Sequence, residues 1–119
     1  MKKQIDQVRH FMKAAGQLDE NHLDMQDLYH NLIAEEYGEF RQEGVYEGTA
    51  NELKELCDLI WVLYGYAIIK GYNLTGAFNE VAKSNMSKID LVTGKVIKRA
   101  DGKVEKPSYY KPADVSEYV

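Results

Sequence analysis

The sequence predicts an all-α protein: a four-helix bundle with a short C-terminal β-hairpin and an extended tail. Two observations carry that class. Apolar residues recur at the helical period in four successive segments, and no segment before residue 90 alternates at the two-residue period of a strand. With 119 residues, 45% of them hydrophobic and 29% charged, the chain suffices for one domain and leaves no room for a second full one. Residues 1–88 are expected to form the helical bundle and 89–119 the hairpin and tail.

Ile5, Val8, Met12 and Ala15 share one helical face and Gly16 follows them, which predicts a first helix over 3–15. Gln17 to His22 is polar and reads as a loop. Asp24 as N-cap, the stripe Met25, Leu28, Leu32, Ile33 and Phe40, and Gly44 as a stop predict a second helix over 25–43. Thr49 or Asn51 opens a third, which runs through Leu53, Leu56, Leu59, Ile60, Leu63 and Tyr64 to Gly71. Its second half is apolar nearly all round, the pattern of a helix buried on most sides. Thr75 caps a fourth helix that carries Phe78, Val81 and Ala82 and ends near Ser87 or Lys88. Beyond it, Lys95-Val96-Ile97-Lys98 and Lys103-Val104-Glu105-Lys106 flank a loop with Asp101-Gly102, a hairpin signal, and Pro107 and Pro112 favour an extended path. A lone hairpin is marginal in water, so the tail is expected to pack on the bundle or on a partner subunit.

Fifteen basic against 19 acidic residues give a net charge of −4, which disfavours a nucleic-acid backbone as the main partner. The single cysteine, Cys57, can form neither an internal disulfide nor a cysteine-based zinc cluster; it reads as a small core residue in a cytoplasmic protein. The start, Met1-Lys2-Lys3-Gln4, has no apolar region of a secretory signal behind it, and the apolar run from Leu56 to Ile69 is too short to span a membrane. A small domain with so apolar a third helix is expected to self-associate.

Chemistry is carried by carboxylates. Glu35, Glu36 and Glu39 on the second helix, and Glu55 and Asp58 on the third, lie three or four residues apart and so share faces. Taken alone, the first group also fits a solvated helix face. Asp58 is different, being the only charge between Leu56 and Ile69, and a carboxylate in that company calls for a partner or a metal. Oxygen ligands without a His or Cys cluster suit Mg²⁺, with Mn²⁺ as a substitute, and a phosphate-ester substrate.

The run Leu32-Ile33-Ala34-Glu35-Glu36-Tyr37-Gly38-Glu39-Phe40, followed by Glu55-Leu56-Cys57-Asp58, resembles the all-α nucleoside triphosphate pyrophosphohydrolases of the MazG and phosphoribosyl-ATP pyrophosphohydrolase-like superfamily. Val81-Ala82-Lys83-Ser84-Asn85-Met86-Ser87-Lys88-Ile89-Asp90 and the Gly-Lys-Val and Asp-Gly-Lys segments after it look like the closing part of small phage and bacterial members. The resemblance implies hydrolysis of a nucleoside triphosphate to the monophosphate and pyrophosphate with Mg²⁺. It implies Glu36, Glu39, Glu55 and Asp58 as metal ligands, and Glu35, with Glu36 as competitor, to orient or deprotonate the attacking water. It places Lys83, Asn85 and Lys88 near the substrate, His10 and Phe11 where they close a base pocket, and the chain in a homodimer or homotetramer. Trp61, three residues after Asp58, shares its face and can border that nucleobase pocket. One departure is Asn31, where many members carry Arg.

For Lys83 and Lys88 the alternative is a cation at a helix C-terminus, for Trp61 and Tyr64 ordinary core packing, and for His10 a plain surface histidine. The phage-like closing segment points to a purine triphosphate such as dGTP, GTP or dATP. The rivals are a phosphoribosyl-ATP hydrolase and, from another class, a non-catalytic helical interaction module whose acids are only a solvated face.

Overall fold

The computed structural model describes every residue except Glu47. It contains four α-helices: α1 (Lys2–Ala14), α2 (His22–Glu43), α3 (Ala50–Lys70) and α4 (Leu74–Met86), with 3-10 turns at Gln17–Asp19 and Ser116–Tyr118. The chain divides into two compact units, residues 1–72 and 73–119, which are taken in turn. Among the described residues no helix is long and apolar enough to cross a membrane.

The first unit holds α1, α2 and α3. Gly16, at φ 74°, takes the left-handed conformation that ends the α1 segment. The N-cap of α2 is Asn21 rather than Asp24: its Oδ1 accepts from the Leu23 and Asp24 amides at 3.0 and 3.1 Å. Asp24 instead lies in the first turn, where its charge complements the helix dipole. Thr49 caps α3 through the Glu52 amide at 3.0 Å. At the other end Gly71, at φ 72°, returns its N–H to Ile68 while Tyr72 bonds to Ala67, a paired closure that satisfies two free carbonyls.

α2 packs along α3, and α1 also lies against α3. Val8, Met12, Tyr29, Val62 and Ile69 form the buried centre, with Leu28, Leu32, Ile33, Leu59 and Tyr66 packed around it. Tyr29 is the hinge of this packing: its ring lies where a Cβ on Gly65 would stand, and its hydroxyl donates to Gln17 Oε1 at 2.7 Å. A glycine in mid-helix costs about 1 kcal/mol of propensity. Here it admits a buried aromatic ring. The second half of α3 is less enclosed than its composition predicts, since Val62, Gly65, Ala67 and Ile69 are buried whereas Leu63 is exposed. Cys57 is exposed as well, which corrects its reading as a core residue.

The second unit is α4 with the C-terminal segment tied back on it. Asn73, not Thr75, is the N-cap, its side chain accepting from the Gly76 amide at 3.0 Å, while its own N–H donates to the Tyr118 carbonyl at 2.8 Å. The Tyr118 ring covers Gly76, where a side chain would collide with it. Farther along, the Lys111 amide donates to Ser87 Oγ at 3.1 Å. The tail therefore packs on α4, one of the expected alternatives.

The predicted β-hairpin is not formed. One antiparallel bridge joins Lys98 to Val104, closed by Arg99 N–H to Lys103 O and Glu105 N–H to Ile97 O, both 2.7 Å, around Gly102 at φ 85°. The Asp101-Gly102 turn forms, with Gly102 N–H donating to Arg99 O at 2.9 Å, but the ladder stops there. Lysines at 95, 98, 103 and 106 put like charges on both arms, and Ile97 and Val104 stay exposed, so little apolar burial offsets the cost of ordering longer strands.

Candidate metal centre

The packing stripes of α2 and α3 set the site. On α2 the inward row runs Tyr29, Leu32, Ile33 and then Glu36; on α3, read backwards, it runs Val62, Leu59 and then Glu55. At one end of the helix pair, glutamates thus occupy positions that helical periodicity assigns to core leucines. Glu39 follows Glu36 by one turn. Carboxylate oxygens of Glu36, Glu39 and Glu55 lie within 4.8 Å of one another.

Two of these oxygens, Oε2 of Glu36 and Oε2 of Glu55, are closed off from solvent and have no hydrogen-bond partner among the described residues. A buried carboxylate oxygen without a donor is costly, and two of them in one cluster repel as well. A hard divalent cation answers both costs, because it binds oxygen ligands and neutralises their charge. The donor set fits such an ion.

The electrostatics follow from the same packing. Burial pushes the Glu36 carboxyl above its ordinary range, and the charges of Asp58, Glu55 and Glu35 push the same way against an opposing hydrogen bond from Glu39. Glu39 is also raised, first by the proton it can donate to Glu55, then by the Glu36 charge. A folded-state value above the unfolded one means that the native protein binds protons more tightly, so stability is lost as pH rises. The window opens at the ordinary value of 4.5 and extends to the raised values. In chelator, the melting temperature should therefore fall as pH is raised through this range, and Glu36→Gln should flatten the slope. An unchanged slope in that variant would show that the cluster does not set it.

Asp58 departs from expectation. Its side chain is 38% exposed rather than enclosed by its apolar neighbours, and its Oδ2 pairs with Lys54 Nζ at 2.8 Å. The same ammonium lies 3.4 Å from Glu55 Oε1. Asp58 is not among the three clustered carboxylates, although its charge reaches Glu36. Glu35 is exposed on α2 beside Glu36.

Of the expected base-binding residues, Phe11 and Trp61 meet edge to face, with ring centroids 5.6 Å apart at 78°. Trp61 also lines a cleft of about 400 Å³ with Gln4, Gln7, Cys57, Ile60 and Tyr64. That cleft lies between α1 and α3, whereas the acids lie between α2 and α3. His10 is on the α1 face that carries Lys2, Lys3, Asp6 and Gln7. In the second unit, Lys83 Nζ pairs with Glu80 at 3.3 Å, and Lys88 donates to Asn85 Oδ1 at 3.0 Å while standing over the Tyr110 ring.

A family model described as phosphoribosyl-ATP pyrophosphohydrolase matches residues 8–85, about two thirds of the chain and all five acids of the site. The chain belongs to this family. It is part of the MazG-like all-α superfamily of nucleoside triphosphate pyrophosphohydrolases, as the paired acidic motifs anticipated. Comparison with curated proteins gives no match. The phosphoribosyl-ATP pyrophosphohydrolase family is metal-dependent, and the three clustered glutamates are consistent with that requirement. Membership implies a pyrophosphohydrolase acting on nucleotides.

Sequence reasoning overlooked Lys54. Its spacing of four from Asp58 on a helix was the available signal, since such pairs face each other.

Proposed function

We propose that the chain hydrolyses a purine nucleoside triphosphate between the α and β phosphates, releasing the monophosphate and pyrophosphate, with Mg²⁺ held by Glu36, Glu39, Glu55 and Asp58. The observation that carries this reading is the pair of solvent-excluded, unpartnered oxygens of Glu36 and Glu55 inside a three-carboxylate cluster. In a pyrophosphohydrolase family such a cluster has a ready use. A triphosphate is itself strongly anionic, and unscreened carboxylates would repel it.

Bound there, Mg²⁺ supplies charge neutralisation to the phosphate oxygens and lowers the pKa of water. The protein's own groups do the rest. Glu36 and Glu55, fixed on core-facing stripes, hold the ligand geometry; Glu39 and Asp58 complete it from more exposed positions. Glu35, exposed beside the cluster, orients the attacking water and takes its proton, with Glu36 as the competing base. Lys83, Lys88 and Asn85 serve the leaving pyrophosphate and the nucleoside, and Trp61, with Phe11 and His10, the base.

Phosphoribosyl-ATP is a second candidate substrate, favoured by the description of the matching family. It presents the same triphosphate bond. Self-association into a dimer or tetramer belongs to the proposal too, because Leu53, Leu56, Ile60 and Leu63 leave much of α3 apolar and exposed.

A substrate panel tests the assignment. Ribo- and deoxynucleoside triphosphates and phosphoribosyl-ATP are incubated with the protein and Mg²⁺, and the products separated by chromatography. A purine substrate converted to its monophosphate is expected, with Asp58→Asn inactive and folded. Every substrate returned intact would favour a non-catalytic helical module.

A further inference from the structure

Lys54 is the one cation paired with any of the five acids among the described residues. It stands on α3 one turn before Asp58, so the helix itself delivers its side chain to that carboxylate. The ammonium reaches Asp58 Oδ2 at 2.8 Å and Glu55 Oε1 at 3.4 Å, whereas among the described residues Glu36 and Glu39 have no ion pair. Both of its partners are in the proposed ligand set. An oxygen that accepts from an ammonium at this distance is in direct contact with a positive charge, and coordination to a divalent ion would put a second positive charge on the same atom. The two interactions exclude or weaken each other. Asp58, the closer partner, stands apart from the three clustered glutamates, whereas Glu55 belongs to them.

Resting on the metal-binding reading above, we propose that Lys54 is a built-in competitor for the divalent cation: it holds Asp58 and one edge of Glu55, and metal binding requires that ion pair to open. Lys54 thereby sets how tightly the site takes its metal. It guards against an uncompensated cluster of acids and lowers affinity for stray cations. Its side chain is 67% exposed, so the ammonium can swing to solvent without rearrangement of the core.

The test is a calorimetric titration of the whole protein with Mn²⁺ alone at low ionic strength, comparing wild type with Lys54→Met, Lys54→Arg and Lys13→Met. Lys54→Met should bind Mn²⁺ about two- to fivefold more tightly, the range to which the coupling of an exposed ion pair converts. Lys54→Arg keeps the charge and should stay near wild type. Lys13 is an exposed lysine on α1 with no ion pair among the described residues, so Lys13→Met controls for net charge and should change little. Equal or weaker binding by Lys54→Met, or equal tightening by Lys13→Met, would overturn the competitor role while leaving the metal site standing. Absence of Mn²⁺ binding by the wild type would instead bring down the metal reading on which the proposal rests.

Discussion

Glu55→Gln should lower turnover at least about a hundredfold, equivalent to about 2.7 kcal/mol of transition-state stabilisation, while leaving the protein folded. The Glu55 side chain is largely enclosed, at 14% exposure, and one of its oxygens is buried without a hydrogen-bond partner among the described residues. It also belongs to the cluster formed across α2 and α3, so its removal affects both the charge and the geometry of the site. The amide keeps the shape but loses the charge, and it presents two N–H donors where a cation requires an acceptor. Two readouts should move in opposite directions. Stabilisation by Mg²⁺ should shrink or vanish, because only binding to the native state raises the melting temperature. In chelator the variant should be as stable as wild type or more so, since one of several mutually repelling carboxylates is gone. A variant that retained both activity and Mg²⁺-induced stabilisation would remove Glu55 from the ligand set.

Met12→Ala should be the most damaging single truncation in the first unit, at about 2–5 kcal/mol. Met12 is fully buried, and with Val8 it is one of two side chains with almost no exposure among the described residues. It fixes α1 to the centre formed by Tyr29, Val62 and Ile69. A core this small has few neighbours able to collapse into the space, so the cavity contribution adds to the lost transfer energy. Small domains are stable by only about 5–15 kcal/mol in all. Urea denaturation in chelator should show the midpoint falling with little change in slope. A loss below about 1 kcal/mol would mean that the α1 packing contributes little to the fold.

The helices were legible because their faces repeat. Met12 and Leu32 fall on apolar stripes, Thr49 and Gly71 bracket α3, and each does what its side chain or its lack of one allows. The errors at the starts of α2 and α4 share a cause. Both first turns carry little of the buried stripe, so periodicity begins late and points to Asp24 and Thr75 instead of Asn21 and Asn73. The hairpin misled for another reason: a turn signal is local, whereas a ladder needs a face to bury, and the lysine-rich arms leave Ile97 and Val104 exposed.

In the site, spacing revealed that Glu36, Glu39 and Glu55 could converge, because i, i+3 neighbours and packed helices obey simple rules. The state of Asp58 was not legible from its apolar neighbours. Helical geometry leaves one edge of that stretch open, and Lys54, four residues upstream, reaches it through solvent. Base recognition is less legible still. Phe11 and Trp61 meet through tertiary packing of α1 on α3, which no motif encodes.

The most direct test of the central claim is product stoichiometry. Wild-type protein, a purine nucleoside triphosphate and Mg²⁺ are combined, and monophosphate, diphosphate, pyrophosphate and orthophosphate are followed together by phosphorus NMR, with Glu36→Gln and a chelator control alongside. Monophosphate and pyrophosphate should appear in equal amounts, only with metal, and not in the variant. Diphosphate with orthophosphate, or the same products in chelator or from Glu36→Gln, would contradict a metal-dependent pyrophosphohydrolase working through this cluster.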